Sequence, residues 1–317
     1  MRHTTKVMSH YLSSDFETAA NQLEELVSEI EEHHPCKALE YLFLPDYVEV
    51  YGQENWKVAM QCLGRITQYT SCEFAIRPFI IKQQDLTMKQ MLEWSTHEHH
   101  AVRRQASEGC RPRLPWAMAL PALKKDPAPL LPILESLKAD SSLYVRKSVA
   151  NNLNDIAKDH PSLVLDLAEG WQGTSLETDW IIKHGCRTLL KAGNIRAMRL
   201  FGFGDVKAVQ LSNLQIHTPT VIFGKELSFG FELGILQSEP ILLRLEYAVY
   251  YQKANGSLSP KVYKISEKEY EGNSSQGIQK VQSFKPISTR KFHEGLHQLV
   301  IVVNGVEMVR KDFALEM

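Results

Sequence analysis

No apolar run in the chain approaches the ~20 residues that a membrane-spanning helix needs. The opening MRHTTKVMSH lacks the apolar core of a secretory signal, so a cytoplasmic protein with no membrane partner is expected. CxxC spacing is missing as well. The five cysteines, Cys36, Cys62, Cys72, Cys110 and Cys186, are scattered, and none follows position 186. That pattern excludes a disulfide framework and points to reduced thiols. The formal net charge of −1 does not mark a uniformly basic nucleic-acid binder, although a local patch is compatible with it. There is no GxSxG, no phosphate loop and no dinucleotide fingerprint. His97-Glu98-His99-His100 has neither HExxH nor Cys–His finger spacing and reads as a turn or helix cap. No metal and no cofactor are expected.

What is present suits two domains. At 317 residues, 44% hydrophobic and 23% charged, each half is able to bury its own core. Before Phe203 apolar residues recur every three or four positions, and Pro35, Pro45, Pro115, Pro127 and Pro161 punctuate helical segments. Ser14-Asp15-Phe16-Glu17 has capping-box spacing, with the serine and glutamate as the capping pair. HHAVRRQASEG and SSLYVRKSVANN share a Val-Arg-Arg/Lys core at Val102 and Val145. These are about 43 residues apart, a HEAT-type helix-pair period. A third segment repeats the arrangement around Ile182-Lys183. Such pairs hide their apolar faces only by stacking into a solenoid. On 142–157 the stripe Val145, Val149, Leu153, Ile156 is expected to face the core, with Ser148, Asn151, Asn152 and Asp155 opposite. Lys183, Arg187 and Lys191 are expected as an exposed basic row on the next helix, and successive rows would line one surface.

After Val206 the pattern alternates. LSFGFELG, ILLRLEYAVYYQK, KVYKISEKEY, QKVQSFKPI, HQLVIVV and VEMVRKDFAL read as strands, and Asn255-Gly256 and Asn304-Gly305 as hairpin turns. The fold class is therefore multidomain: an all-α HEAT-like solenoid over 1–203, then an all-β immunoglobulin-like sandwich over 204–317. Nothing in the β-rich part has the form of a catalytic motif.

EFAIRPF (Glu73 to Phe79), VRRQASEGCRPRLPWA (Val102 to Ala117) and VRKSVANNLNDIAKDHP (Val145 to Pro161) resemble the HEAT-like repeat DNA alkylation-repair glycosylases. The resemblance is to the AlkC branch, whose members can carry a C-terminal Ig-like domain, and it covers nearly the whole chain. One departure is a shorter stretch before EFAIRPF. The resemblance implies a monofunctional glycosylase acting on alkylated double-stranded DNA, excising cationic bases such as 3-methyladenine and 3-methylcytosine. It also implies contact with the lesion's backbone and no deep base pocket. By position in the motifs Glu73 and Asp155 match the catalytic carboxylates. Their chemistry suits the reaction, because a cationic base leaves without a general acid, while an oxocarbenium-like sugar calls for negative charge and a positioned water. Trp116 offers an aromatic face to the sugar.

Each candidate has a plainer reading beside it. Glu73 is an i, i+4 partner for Arg77, Asp155 a solvated residue late in a helix, and Trp116 a core tryptophan. Trp56, Trp94, Trp171 and Trp180 read as core. Arg111, Arg113, Arg146, Lys147, Lys183 and Arg187 are candidates for phosphate contacts, and Asn151 and Asn152 for phosphate or sugar. A monomer is expected. The competing function is a non-enzymatic HEAT-repeat scaffold that binds DNA or protein, separated from the enzyme only by Glu73, Asp155 and Trp116.

Overall fold

The computed structural model describes residues 1–34, 39–288 and 290–317. Pro35, read as a helix break, and Cys36 lie outside the described residues. The chain divides into two compact units, Met1–Arg187 and Thr188–Met317.

The first unit is built from α1 (Arg2–Met8), α2 (Phe16–His33), α3 (Phe43–Tyr51), α4 (Trp56–Tyr69), α5 (Arg77–Lys82), α6 (Gln84–Trp94), α7 (His100–Glu108), α8 (Pro121–Lys125), α9 (Leu131–Leu137), α10 (Leu143–Ile156), α11 (Pro161–Trp171) and α12 (Leu176–Gly185). Helices α2, α4, α7, α10 and α12 pack in a row, each on the next, while α3, α6, α9 and α11 back α4, α7, α10 and α12. This is the stacking that amphipathic helix pairs require, since no pair covers its own apolar face. The three repeat positions are equivalent: Val102, Val145 and Ile182 are buried on α7, α10 and α12. The second helix is capped by Asp15, whose carboxylate accepts from the Thr18 amide, and not by Ser14. His99 caps α7 by accepting from the Ala101 amide.

Helix α10 departs from the simple amphipathic reading. Val145, Val149, Leu153 and Ile156 are buried as expected, but Ser148, Asn152 and Asp155 are buried too. The reason is position: α10 is flanked by α7 on one side and α12 on the other, so a second, polar stripe is also covered. Ser148 meets Ser107 by a hydroxyl–hydroxyl hydrogen bond, and Asn152 donates to the Ser107 carbonyl (2.8 Å).

The second unit holds most of α13 (Arg187–Lys191) and all of α14 (Ile195–Leu200), followed by β1 (Val209–Ile216), β2 (Thr220–Ile222), β3 (Glu226–Ile235), β4 (Ile241–Gln252), β5 (Leu258–Tyr270), β6 (Ser275–Ser283), β7 (Gly295–Val303) and β8 (Val306–Glu316). Two sheets, ordered β1-β3-β6 and β2-β8-β7-β4-β5, form the sandwich, and β2 runs parallel to β8. Alternate residues fill the core: Phe229, Phe231 and Leu233 from one sheet, Leu243, Leu245, Val249, Leu299 and Ile301 from the other. At the β7–β8 turn Asn304 (φ 48°) and Gly305 (φ 78°) adopt the paired left-handed conformation that Asn-Gly hairpins favour. A side chain at Gly305 would collide with the Gly193 backbone, which is how the segment before α14 seats against this turn.

Cys62, Cys72, Cys110 and Cys186 are free and buried. Burial pushes the Cys62, Cys110 and Cys186 thiols up to about 12, so they stay protonated and unreactive. Among the described residues no helix is long and apolar enough to cross a membrane.

Candidate functional site

A groove of about 280 Å³ opens in the first unit. Leu39, Leu42, Phe74, Leu114 and Pro115 give it apolar walls, and Ser71, Glu73, Glu108, Arg111 and Trp116 complete its lining. Three sequence-predicted residues, Glu73, Arg111 and Trp116, thus share one surface. Glu73 lies just before α5. Its Oε2 accepts from the Ser71 hydroxyl (2.6 Å) and meets Arg104 Nη1 at 2.6 Å. Both contacts fall on Oε2.

Arg77, the expected i, i+4 partner, is instead wholly buried and hydrogen-bonds to carbonyls. Arg104 fills the place the sequence assigned to Arg77. It sits over the Tyr144 ring at 4.5 Å, and its Nη2 lies 3.7 Å from Glu108 Oε1. The line then continues: Glu108 Oε1 accepts from Arg111 Nη1 (2.6 Å), and Arg111 Nε and Nη2 each lie 2.9 Å from Asp155 Oδ2. Lys158 closes it at 3.0 Å from Asp155 Oδ1. Glu73, Arg104, Glu108, Arg111, Asp155 and Lys158 form one alternating ionic chain. Neighbouring carboxylates hold the Arg104 and Arg111 guanidinium groups above their usual range despite burial.

Asp155 is not the solvated residue of the plainer reading: it is 2% exposed, and it does not line the groove. It reaches the wall only through Arg111. Trp116 is the opposite case, at 96% exposure and φ 64°, a left-handed backbone conformation that costs a residue with a side chain about 1–2 kcal/mol. A core role is excluded for it. Trp94 and Trp171 are buried, but Trp180 is 38% exposed and stacks on His184.

The eight residues assigned to DNA contact divide by environment. Asn152 is fully buried between α7 and α10, so it is out of reach of any phosphate. Arg111 is held by two carboxylates, and Arg113 is paired with Asp159 through two hydrogen bonds (3.0 and 2.6 Å). Arg146 donates to the Asp140 and Ser141 carbonyls, and Arg187 to the His184 carbonyl and to Asn151 Oδ1. Lys147 and Lys183 are the exposed members of the set. The basic row Lys183, Arg187, Lys191 does not run along one helix, because α12 ends at Gly185 and α13 starts at Arg187. Ser71 and Glu108 were not singled out from sequence, and Arg77 only as a surface partner of Glu73. The i, i+4, i+7 spacing of Arg104, Glu108 and Arg111 was the available signal for one charged strip.

Fold and site together define a helical-repeat protein with an acidic, tryptophan-bearing groove, joined to a β-sandwich. The family model described as a DNA alkylation repair enzyme matches residues 4–176, and that of the YhaZ C-terminal Ig-like domain matches 210–317. The chain belongs to the DNA alkylation repair enzyme family. It is 44% identical over 299 residues to the uncharacterized protein YhaZ of Bacillus subtilis (strain 168), covering 94% of this chain and 83% of that one. Among solved structures it is similar to Pseudomonas fluorescens alkylpurine DNA glycosylase AlkC bound to DNA containing an abasic site analog. That match has a TM-score of 0.91 and 38% identity over 97% of this chain and 85% of the other.

Proposed function

We propose that this chain is a monofunctional DNA glycosylase that hydrolyses the N-glycosidic bond of cationic alkylated bases, 3-methyladenine and 3-methylcytosine, in duplex DNA. The observation that carries the reading is the pairing of Glu73 with an outward-facing Trp116 in one groove, in a chain so similar to AlkC. The base arrives as a cation and departs neutral, so no general acid is needed. As the bond breaks, positive charge develops on the deoxyribose. Glu73 Oε1 supplies a fixed negative field and accepts a proton from the attacking water. The Trp116 face lies against the sugar and stabilises the same charge through its quadrupole. Asp155 acts from behind, holding Arg111 at the groove wall and adding its charge to the field. Neither carboxylate forms a Schiff base, so the product is an intact abasic site with no nick. Lys147 and Lys183 are the proposed phosphate contacts of the helical unit.

The test is release of methylated base from alkylated duplex DNA, with conversion of the abasic site to a strand break as the readout. Base release above the spontaneous rate, with no break before that conversion, is expected. Tight DNA binding without release would turn the reading to the scaffold.

A further inference from the structure

Among the described residues Arg77 is one of the largest fully buried side chains, and the carboxylate chain does not use it. Its Nε donates to the Met118 carbonyl (2.6 Å), and its Nη1 to the carbonyls of Gly109 (3.0 Å) and Arg111 (2.9 Å). These acceptors lie at both ends of the segment that carries Trp116. One guanidinium therefore bridges the start of that loop to its finish. A backbone bond from the Leu120 amide to the Pro112 carbonyl (3.2 Å) runs alongside.

The entry to the loop is equally constrained. Gly109 approaches α5 so closely that a Cβ there would lie 2.7 Å from Ile76 Cγ2. Burial brings the Arg77 guanidinium down to about 10, which still leaves it charged at neutral pH. Its Nη2 has no hydrogen-bond partner among the described residues, an unusual cost for a buried charge. A buried arginine spent on loop carbonyls, with one nitrogen unmatched, is explained if the loop's conformation is what it secures. That conformation includes the left-handed backbone at Trp116, which no burial of the indole helps to hold.

We propose that Arg77 is a positioning residue for excision: it locks residues 109–118 so that the Trp116 ring is presented to the groove at a fixed distance from Glu73. Arg77 opens α5 four residues after Glu73, so the lock lies close in the chain to the carboxylate. A lysine is a single-point donor and does not span three carbonyls in a plane, so Arg77→Lys keeps the charge and loses the bridge.

The proposal rests on the glycosylase reading for its catalytic consequence, and two measurements separate the two. Hydrogen–deuterium exchange of the free protein reads the lock without any DNA. In R77K, peptides spanning 109–120 should exchange at least tenfold faster while α2 and α4 keep wild-type protection. Single-turnover base release then reads the consequence. R77K should lose roughly threefold to thirtyfold, no more than the loss of Trp116 itself, with DNA affinity unchanged. In a Trp116→Ala background the same substitution should cost nothing further. Should R77K fail to fold, replacing Ala119 with lactic acid weakens the Met118 carbonyl as an acceptor and leaves Arg77 in place. The same loop-confined gain in exchange is expected of it. Unchanged loop exchange, or a loss of excision fully additive with W116A, overturns the positioning role. A wild-type protein that releases no base, with loop exchange behaving as stated, overturns the glycosylase reading and leaves the lock standing.

Discussion

Trp116 gives the sharpest separation of function from stability. A core tryptophan replaced by alanine costs about 3–5 kcal/mol. At 96% exposure the indole buries almost nothing, and W116A should stay within about 0.5 kcal/mol of wild type. Trp116→Gly goes further, because φ 64° is a region that glycine enters freely. Relief of about 1–2 kcal/mol of backbone strain is partly offset by about 0.5–1 kcal/mol of added chain entropy in the unfolded state. W116G should therefore be as stable as wild type or up to roughly 1 kcal/mol more so. The assay is urea denaturation followed by the helical circular-dichroism signal, which reports the first unit and does not depend on the lost indole. In single-turnover base release both variants should be slower by roughly threefold to thirtyfold, the worth of one desolvated cation–π contact. A variant that loses several kcal/mol, or one that excises at the wild-type rate, refutes the reasoning.

Other outcomes follow from the same geometry. Glu73→Gln should cut base release by about a hundredfold or more with undamaged-DNA affinity held or slightly raised; release at the wild-type rate removes Glu73 from the chemistry. Asp155→Asn should also reduce release but, unlike E73Q, should lower stability by about 3 kcal/mol, because the buried Arg111 keeps only Glu108. Equal denaturation midpoints for the two variants would contradict the ionic chain. Replacing Lys147 and Lys183 together should flatten the slope of log K against log salt by up to about two units, alike on damaged and undamaged DNA; an unmoved slope relocates the phosphate contacts. His297 is buried among Tyr251, Phe284 and Phe313, accepts from the Gln252 amide and donates to the His293 carbonyl. Burial holds it below its usual value of 6.5, so the unfolded chain binds a proton that the folded sandwich refuses. The stability this confers is complete above pH 6.5 and is lost as pH falls toward the depressed folded value, and His297→Gln should flatten that acid limb. Identical acid limbs in the two proteins would exclude His297 as their source.

Periodicity carries what is local, and it runs out where three elements meet. The stripe on α10 was legible because Val145, Val149, Leu153 and Ile156 repeat at helical spacing. The burial of Ser148, Asn152 and Asp155 was not, since it depends on α7 lying against α10 across about 40 residues of chain. The same limit hid the partner of Glu73. Within one helix Arg77 is the natural neighbour, but α5 begins only at Arg77, so Glu73 is off the helix and free to meet Arg104. Of the strands, the ones found from sequence are 9 to 13 residues long. The missed ones have weak patterns for visible reasons: β1 carries a register shift around Asn213 at φ 53°, and β2 is three residues long. The turn at Asn304-Gly305 was legible because its conformational demand is written in the residue types themselves.

The ionic chain also bears on how a protein of net charge −1 offers a focused acidic site. Carboxylates placed alone among Leu42, Phe74 and Leu114 would be costly to keep ionised, since apolar walls penalise the charged form. Alternation with Arg104, Arg111 and Lys158 removes that penalty link by link, yet every cation is tied to carboxylates on the protein side. Glu73, which lines the groove, is held by Arg104 and the Ser71 hydroxyl through its Oε2. A charge fixed in this way needs no reorganisation when a cation develops beside it, and the poorly solvated wall strengthens its field. The same economy argues that the grip on a polyanion is separate from the site. Arginines already committed to Glu108, Asp155 and Asp159 have little to give a phosphate.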